Sequence, residues 1–193
     1  LPFAAIVVAF RGGGRVETDA TQGMSNLVAQ MLTKGTTHKS ALDIARQVES
    51  LGAALGPFSG RDGFGLVLQV LSQDTDEGLA LMHELVTQST FAEKELEIER
   101  SLIAKELKAQ DDEIFDVGGR LLRRTFFGSH PYRLNPLGDP ATIGALSRRQ
   151  CLDFAKQWLV PSNMVLAVFG DADHEAIAGR IRNSFGTIAQ GTA

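Results

Sequence analysis

The 193-residue sequence predicts an α+β fold, a mainly antiparallel sheet with helices packed on it. Three observations carry this. Apolar, β-branched runs of strand length are few and are spread over the start, middle and end of the chain. Between them lie longer stretches whose apolar residues recur at the helical period. Two of the strands follow one another directly across a short glycine-containing turn, the sign of an antiparallel pair.

In chain order, Phe3 to Phe10 reads as a buried strand stopped by Gly12-Gly13-Gly14. Met24, Leu27, Val28, Met31 and Leu32 stand at i, i+3, i+4, i+7, i+8 spacing, a helix closed by Lys34 and Gly35. Ser40 can cap a second helix whose apolar face is Leu42, Ala45, Val48 and, in part, Leu51, ending at Gly52. Two strands flank the turn from Ser59 to Gly63, the second running from Phe64 to Leu71. Asp74 with Glu77 predicts a capping box for a helix carrying Leu79, Met82, Leu85 and Val86. Phe91 leads into a strongly charged helix from Glu93 to about Ala109. An amphipathic stretch with Ile114, Phe115, Val117, Leu121 and Leu122 follows. The proline-rich span from His130 to Pro140 reads as a structured loop. Ser147 and Gln150 form a second capping box, opening a helix with Leu152, Phe154, Trp158 and Leu159. Met164 to Phe169 is a strand ended by Gly170-Asp171, and Ile177, Ile181 and Phe185 mark a last helix. No repeat, heptad pattern or low-complexity segment interrupts this order.

Composition narrows the function. Hydrophobic residues make up 44% and charged residues 22%, as in ordinary globular chains. The formal net charge of −4 gives no general attraction to nucleic acid or anionic membranes. No apolar run approaches the ~20 residues that span a bilayer, so a soluble chain is expected. The start at Leu1-Pro2-Phe3, without Met, leads us to expect a piece of a longer protein. The single cysteine, Cys151, excludes an internal disulfide and a cysteine metal cage. Its neighbours Leu152 and Phe154 predict a buried structural thiol.

Several strings occur together in a fixed order. They are Phe10-Arg11-Gly12-Gly13-Gly14-Arg15-Val16-Glu17, the run from Gly23 to Thr36, Glu99-Arg100, Glu106, His130-Pro131-Tyr132, Pro161-Ser162-Asn163-Met164 and Gly170-Asp171. The set resembles the insulinase (pitrilysin) family of zinc metallopeptidases, which includes the mitochondrial processing peptidase and the core proteins of a respiratory cytochrome complex. It covers nearly the whole chain and implies one insulinase-type domain over residues 1–193.

The family's active site is an inverted zinc helix, H-x-x-E-H, in which two His bind the metal and the Glu serves as general base. A distal Glu supplies the third protein ligand. Laid on this sequence, the first His position is Asn26, the Glu is Ala29 and the second His is Gln30. The helical pattern gives the same register, with Met24, Leu27, Val28 and Met31 facing the core and residues 26, 29 and 30 expected on the opposite face. Amides are poor zinc ligands and a methyl group accepts no proton, so no catalytic residue is intact and no metal is expected. Glu106 stands 76 positions after Gln30, about where the resemblance places the third ligand, and reads as its relic. Glu99 matches a second acidic position and is expected to share a helix face with Glu106.

No other motif replaces the lost one. His83-Glu84 and His174-Glu175 begin like H-E-x-x-H, but Thr87 and Ala178 stand at the fifth position. His38 and His130 read as surface or turn residues. No serine lies in a nucleophile elbow. Gly12-Gly13-Gly14 lacks the residues of a phosphate loop. Active family members bind peptide as an added strand beside the zinc. Here that stretch reads Leu55-Gly56-Pro57-Phe58-Ser59-Gly60, and Pro57 removes a backbone N–H. The resemblance therefore implies a degenerate domain, inactive alone. It would support an active half that carries the zinc and line a chamber that holds peptide substrate, and the fragment alone would self-associate. The alternative is a structural assembly subunit like the respiratory core proteins.

Overall fold

The structure, a computed structural model, describes residues 2–193. Four strands, β1 (Phe3–Arg11), β2 (Ala54–Ser59), β3 (Gly63–Leu71) and β4 (Met164–Gly170), form an antiparallel sheet in the order β2-β3-β1-β4. The register sets Ile6 opposite Leu68 and Val168, Val8 opposite Leu66 and Leu166, and Phe10 opposite Phe64 and Met164. Directly opposed residues share a face, and this one is the core: Ile6, Val8, Phe10, Phe64, Leu66 and Leu68 are fully buried. Strand β1 is thus buried on one face rather than two. Its other face joins Val7, Val67 and Ala167 in one cross-strand row and Ala5, Gln69 and Phe169 in the next, half-buried with Gln69 and Phe169 exposed.

The helices are α1 (Met24–Met31), α2 (Ala41–Ser50), α3 (Thr75–Gln88), α4 (Glu93–Asp112), α5 (Ile114–Phe127), α6 (Pro140–Ala145), α7 (Arg148–Trp158) and α8 (His174–Phe185). Three boxes form as their residue types require, Ser40 with Asp43, Asp139 with Thr142 and Ser147 with Gln150. The expected box at Asp74 does not form; the Thr75 hydroxyl instead donates to the Ser72 carbonyl at 2.7 Å. In α2 the inward residues are Ile44 and, in part, Val48, while Leu42 and Ala45 face solvent. Helix α6 lies at the end of the proline-rich span, where only a loop is expected from the sequence. Asp139 caps it by accepting from the N–H groups of Ala141 and Thr142, with Pro140 at the first helical position.

The largest departure is α5. Its periodicity calls for burial of Ile114, Phe115, Leu121 and Leu122, yet no residue of the helix is buried. That face points outward, with Phe115 at 89% exposure, while Arg120 turns inward to Asp111 and to Gln110 Oε1 at 3.2 Å. Periodicity reports that a face is apolar and not which partner covers it.

Two of the strings singled out in the sequence are structural ties. In the His-Pro-Tyr turn, His130 Nδ1 accepts from the Tyr132 N–H at 3.2 Å and the Tyr132 hydroxyl donates to Asp62 at 2.5 Å. Buried Asn163 donates to the carbonyls of Arg11 (2.8 Å) and Trp158 (2.9 Å), joining β1 to the end of α7. Asn163→Ala should cost about 2 kcal/mol, since it leaves two acceptors without this donor. Chemical denaturation of the two proteins measures it.

Candidate functional site

Helix α1 carries three of the positions singled out in the sequence. It starts where Glu17, itself buried, accepts hydrogen bonds from the N–H groups of Gly23 and Ser25, both at 2.8 Å. A carboxylate at a helix N-terminus satisfies donors that the helix leaves free. Burial pushes the Glu17 carboxyl above its ordinary value, against the lowering pull of the Ser25 and Gly23 bonds. Gly23 has φ +88°, and a Cβ there would stand 2.7 Å from Ile143 Cδ1 and 2.8 Å from the Leu137 carbonyl. Gly23→Ala should therefore cost about 2–4 kcal/mol through strain and overpacking, read from the denaturation midpoint.

From that start α1 runs between β2 and β3 on one side and α4 and α7 on the other. The expectation that residues 26, 29 and 30 face away from the core is corrected here. Asn26 is 8% exposed and Ala29 fully buried, and only Gln30 is half-buried, because α4 and α7 roof that side. Asn26 Nδ2 is buried without a hydrogen-bond partner.

The two acidic positions of α4 part company. Glu99 is buried and lies 2.8 Å from Lys34 Nζ at the end of the α1 segment. The contact is an ion pair without hydrogen-bond geometry at that oxygen. Glu106 is exposed, although seven residues separate the two, because the buried stripe of α4 runs through Leu96, Glu99, Ile103 and Leu107 and leaves Glu106 at its border. Lys34 as the counter-ion of Glu99 is what sequence reasoning missed, since Lys34 reads there only as a helix-closing residue.

Elsewhere, burial pushes the Cys151 thiol up to about 11, so it stays protonated near neutral pH as a structural thiol should. His83 packs edge-on against Phe185 at 5.2 Å. Among the described residues no three His, Cys, Asp or Glu side chains stand together in a way that could hold a metal ion. A cavity of about 230 Å³ opens between α4, α5 and the segment 133–140, lined among others by Gln22, Asp111, Arg120, Arg124, Arg133 and Asp139.

The model of the insulinase family, peptidase family M16, matches residues 2–140, and that of the peptidase M16 inactive domain matches residues 145–192. The chain belongs to the insulinase family. An uncharacterized zinc protease of Mycobacterium leprae is 27% identical over 175 residues, covering 91% of this chain and 39% of that protein. Subunit 1 of the mitochondrial cytochrome b-c1 complex of Bos taurus is 25% identical over 188 residues, covering 97% of this chain and 39% of that protein. Among solved structures, a peptidase M16 inactive domain from Pseudomonas fluorescens superposes with a TM-score of 0.92 at 24% identity, over 100% of this chain and 47% of that one. The insulinase-type chain thus spans about two fifths of the length of the curated relatives it matches. No helix among the described residues is long and apolar enough to cross a membrane.

Proposed function

We propose that residues 1–193 form one insulinase-type domain of a longer protein, which cuts no peptide itself, supports an active insulinase-type unit that carries zinc, and lines a chamber shared with it. The observation that carries this is the content of α1, with Asn26, Ala29 and Gln30 where the family's chemistry needs two imidazoles and a carboxylate. The residues present do not fit zinc. Asn26 is roofed and its amide nitrogen is unpartnered, Glu99 is committed to Lys34, and Glu106 alone is a free carboxylate on the surface.

The sheet edge supports the same reading. Gly60 N–H donates to the Gly63 carbonyl at 2.8 Å, and stepping back from that pair makes Pro57 opposite Leu66 a non-hydrogen-bonded pair. The nitrogen of Pro57 therefore faces the open edge of β2, where an added strand would need a donor. The half-open apolar face of the sheet, with Val7, Val67, Ala167 and Phe169, supports packing against another unit.

Co-expression with a companion unit bearing an intact H-x-x-E-H tests the proposal. A stable complex is expected, with peptidase activity that falls when this chain is omitted, and the chain alone should self-associate through its uncovered apolar faces. A companion fully active by itself, never found in complex with this chain, would sink the proposal. The second reading, a structural assembly subunit, draws on the likeness to the cytochrome b-c1 subunit and gains from that outcome.

A further inference from the structure

We propose that the cleft between α3, α7 and the segment 188–191 binds a medium-chain aliphatic monocarboxylate, with its hydrocarbon tail along the cleft and its carboxylate on Lys156. The cleft holds about 490 Å³ and shares no lining residue with α1 or with the edge strand β2. That volume lies in the range of small-molecule sites. Its walls are apolar, with Val86 from α3, Phe91, Leu152 from α7, then Leu159, Val160 and Ile188. Val86, Phe91 and Val160 are buried, so the floor of the cleft is core rather than loose surface. Phe91 is the one non-glycine residue with positive φ among the described residues, at +50°. Bulky side chains rarely adopt that conformation, and it persists where neighbours fix it. Here Arg148 does so, donating from Nε to the Phe91 carbonyl at 2.8 Å and from Nη2 to the Thr90 carbonyl at 2.9 Å. The apolar floor is thereby held in place.

One charge stands in this cleft. Lys156 is the only ionisable side chain among the lining residues. It follows Leu152 by four positions and precedes Leu159 by three, which puts all three on one face. Lys156 is exposed and makes no ion pair among the described residues. The nearest carboxylate in α7, Asp153, pairs with Arg149 at 3.7 Å. A lysine lays its methylenes on apolar surface and keeps its ammonium in water. An apolar ligand that ends in an anion therefore complements the cleft, and a neutral or cationic one does not. The segment 188–191 closes one side. The Ser162 hydroxyl donates to the Gly191 carbonyl, and a Cβ on Gly191 would stand 2.7 Å from Val160 Cγ1. Glycine is what lets the chain approach Val160 that closely.

Isothermal titration of the 193-residue chain with three probes of one tail length tests this: decanoate, decanol and decyltrimethylammonium. Decanoate should bind once per chain, about tenfold more tightly than decanol, with decyltrimethylammonium weakest. Octanoate should bind about tenfold more weakly than decanoate, since each buried methylene is worth about fourfold. Lys156→Gln should bring decanoate down to the level of decanol and leave decanol unchanged, which the loss of a merely structural lysine would not do. Gly191→Val should weaken decanoate at least about threefold by pushing the segment 188–191 off Val160, without moving the melting temperature of the unliganded chain. Equal binding of decanoate and decanol, or indifference to Lys156→Gln or to Gly191→Val, overturns the proposal. So does binding seen only where decanoate forms micelles, which would make it an effect of an amphiphile surface. A complex with the active unit that Lys156→Gln breaks would give the cleft to that unit and overturn it as well. None of these failures touches the supporting role, which rests on the residues of α1.

Discussion

Glu17→Ala is expected to be the most damaging single change near the degenerate site, costing about 4 kcal/mol. The carboxylate is buried and answers two backbone N–H groups at the start of α1, so its loss leaves both donors without a partner in a place water does not reach. For a chain of this size that corresponds to a fall of about 8–16 °C in melting temperature. The deficit should also depend on pH. The folded-state pKa of Glu17 is raised above its ordinary value of 4.5, so the folded chain holds that proton more tightly than the unfolded one. The contribution is fully present below about pH 4.5 and is lost as pH rises through the raised folded value. The gap between wild type and Glu17→Ala should therefore narrow as pH rises from about 4.5, measured by denaturant titrations of both proteins across that range. A gap that widens instead would mean the two N–H bonds outweigh burial.

Lys34→Met is the second large effect, expected to cost about 2–4 kcal/mol. Glu99 is 4% exposed and Lys34 is its one ion-pair partner among the described residues, so the substitution strands a buried carboxylate. Breaking a buried pair from one side is far more costly than replacing both members. Lys34→Met combined with Glu99→Gln should recover most of the loss, with the coupling read from a double-mutant cycle. Independent, additive losses would show that the pair is not coupled. The result bears on function, because a Glu99 held by Lys34 is no longer free to serve a metal site.

Much of the fold is legible in the sequence because local chemistry decides it. The boxes at Ser40 and Ser147, the helix from Met24 and the antiparallel pair around Ser59–Gly63 follow from side chains that satisfy backbone groups within a few residues. Helix α6 was legible too, in Asp139-Pro140 with Thr142, but was hidden inside a span dense in proline. What could not be read were choices made by distant partners. Ile44 rather than Leu42 anchors α2, α4 and α7 roof the far side of α1, and α5 turns its apolar face outward. The assignment of positions 26, 29 and 30 as a degenerate set rests on the family resemblance, whereas the burial of two of them and the capture of Glu99 by Lys34 depend on tertiary packing.

The domain proposed here works without zinc chemistry of its own. The most direct measurement is the metal content of the purified, untagged protein after equilibration with zinc, taken together with its cleavage of an unstructured peptide with and without chelator. Far less than one zinc per chain and no cleavage above a buffer blank are expected. Stoichiometric zinc that is lost on Glu106→Ala, accompanied by chelator-sensitive cleavage, would contradict that expectation.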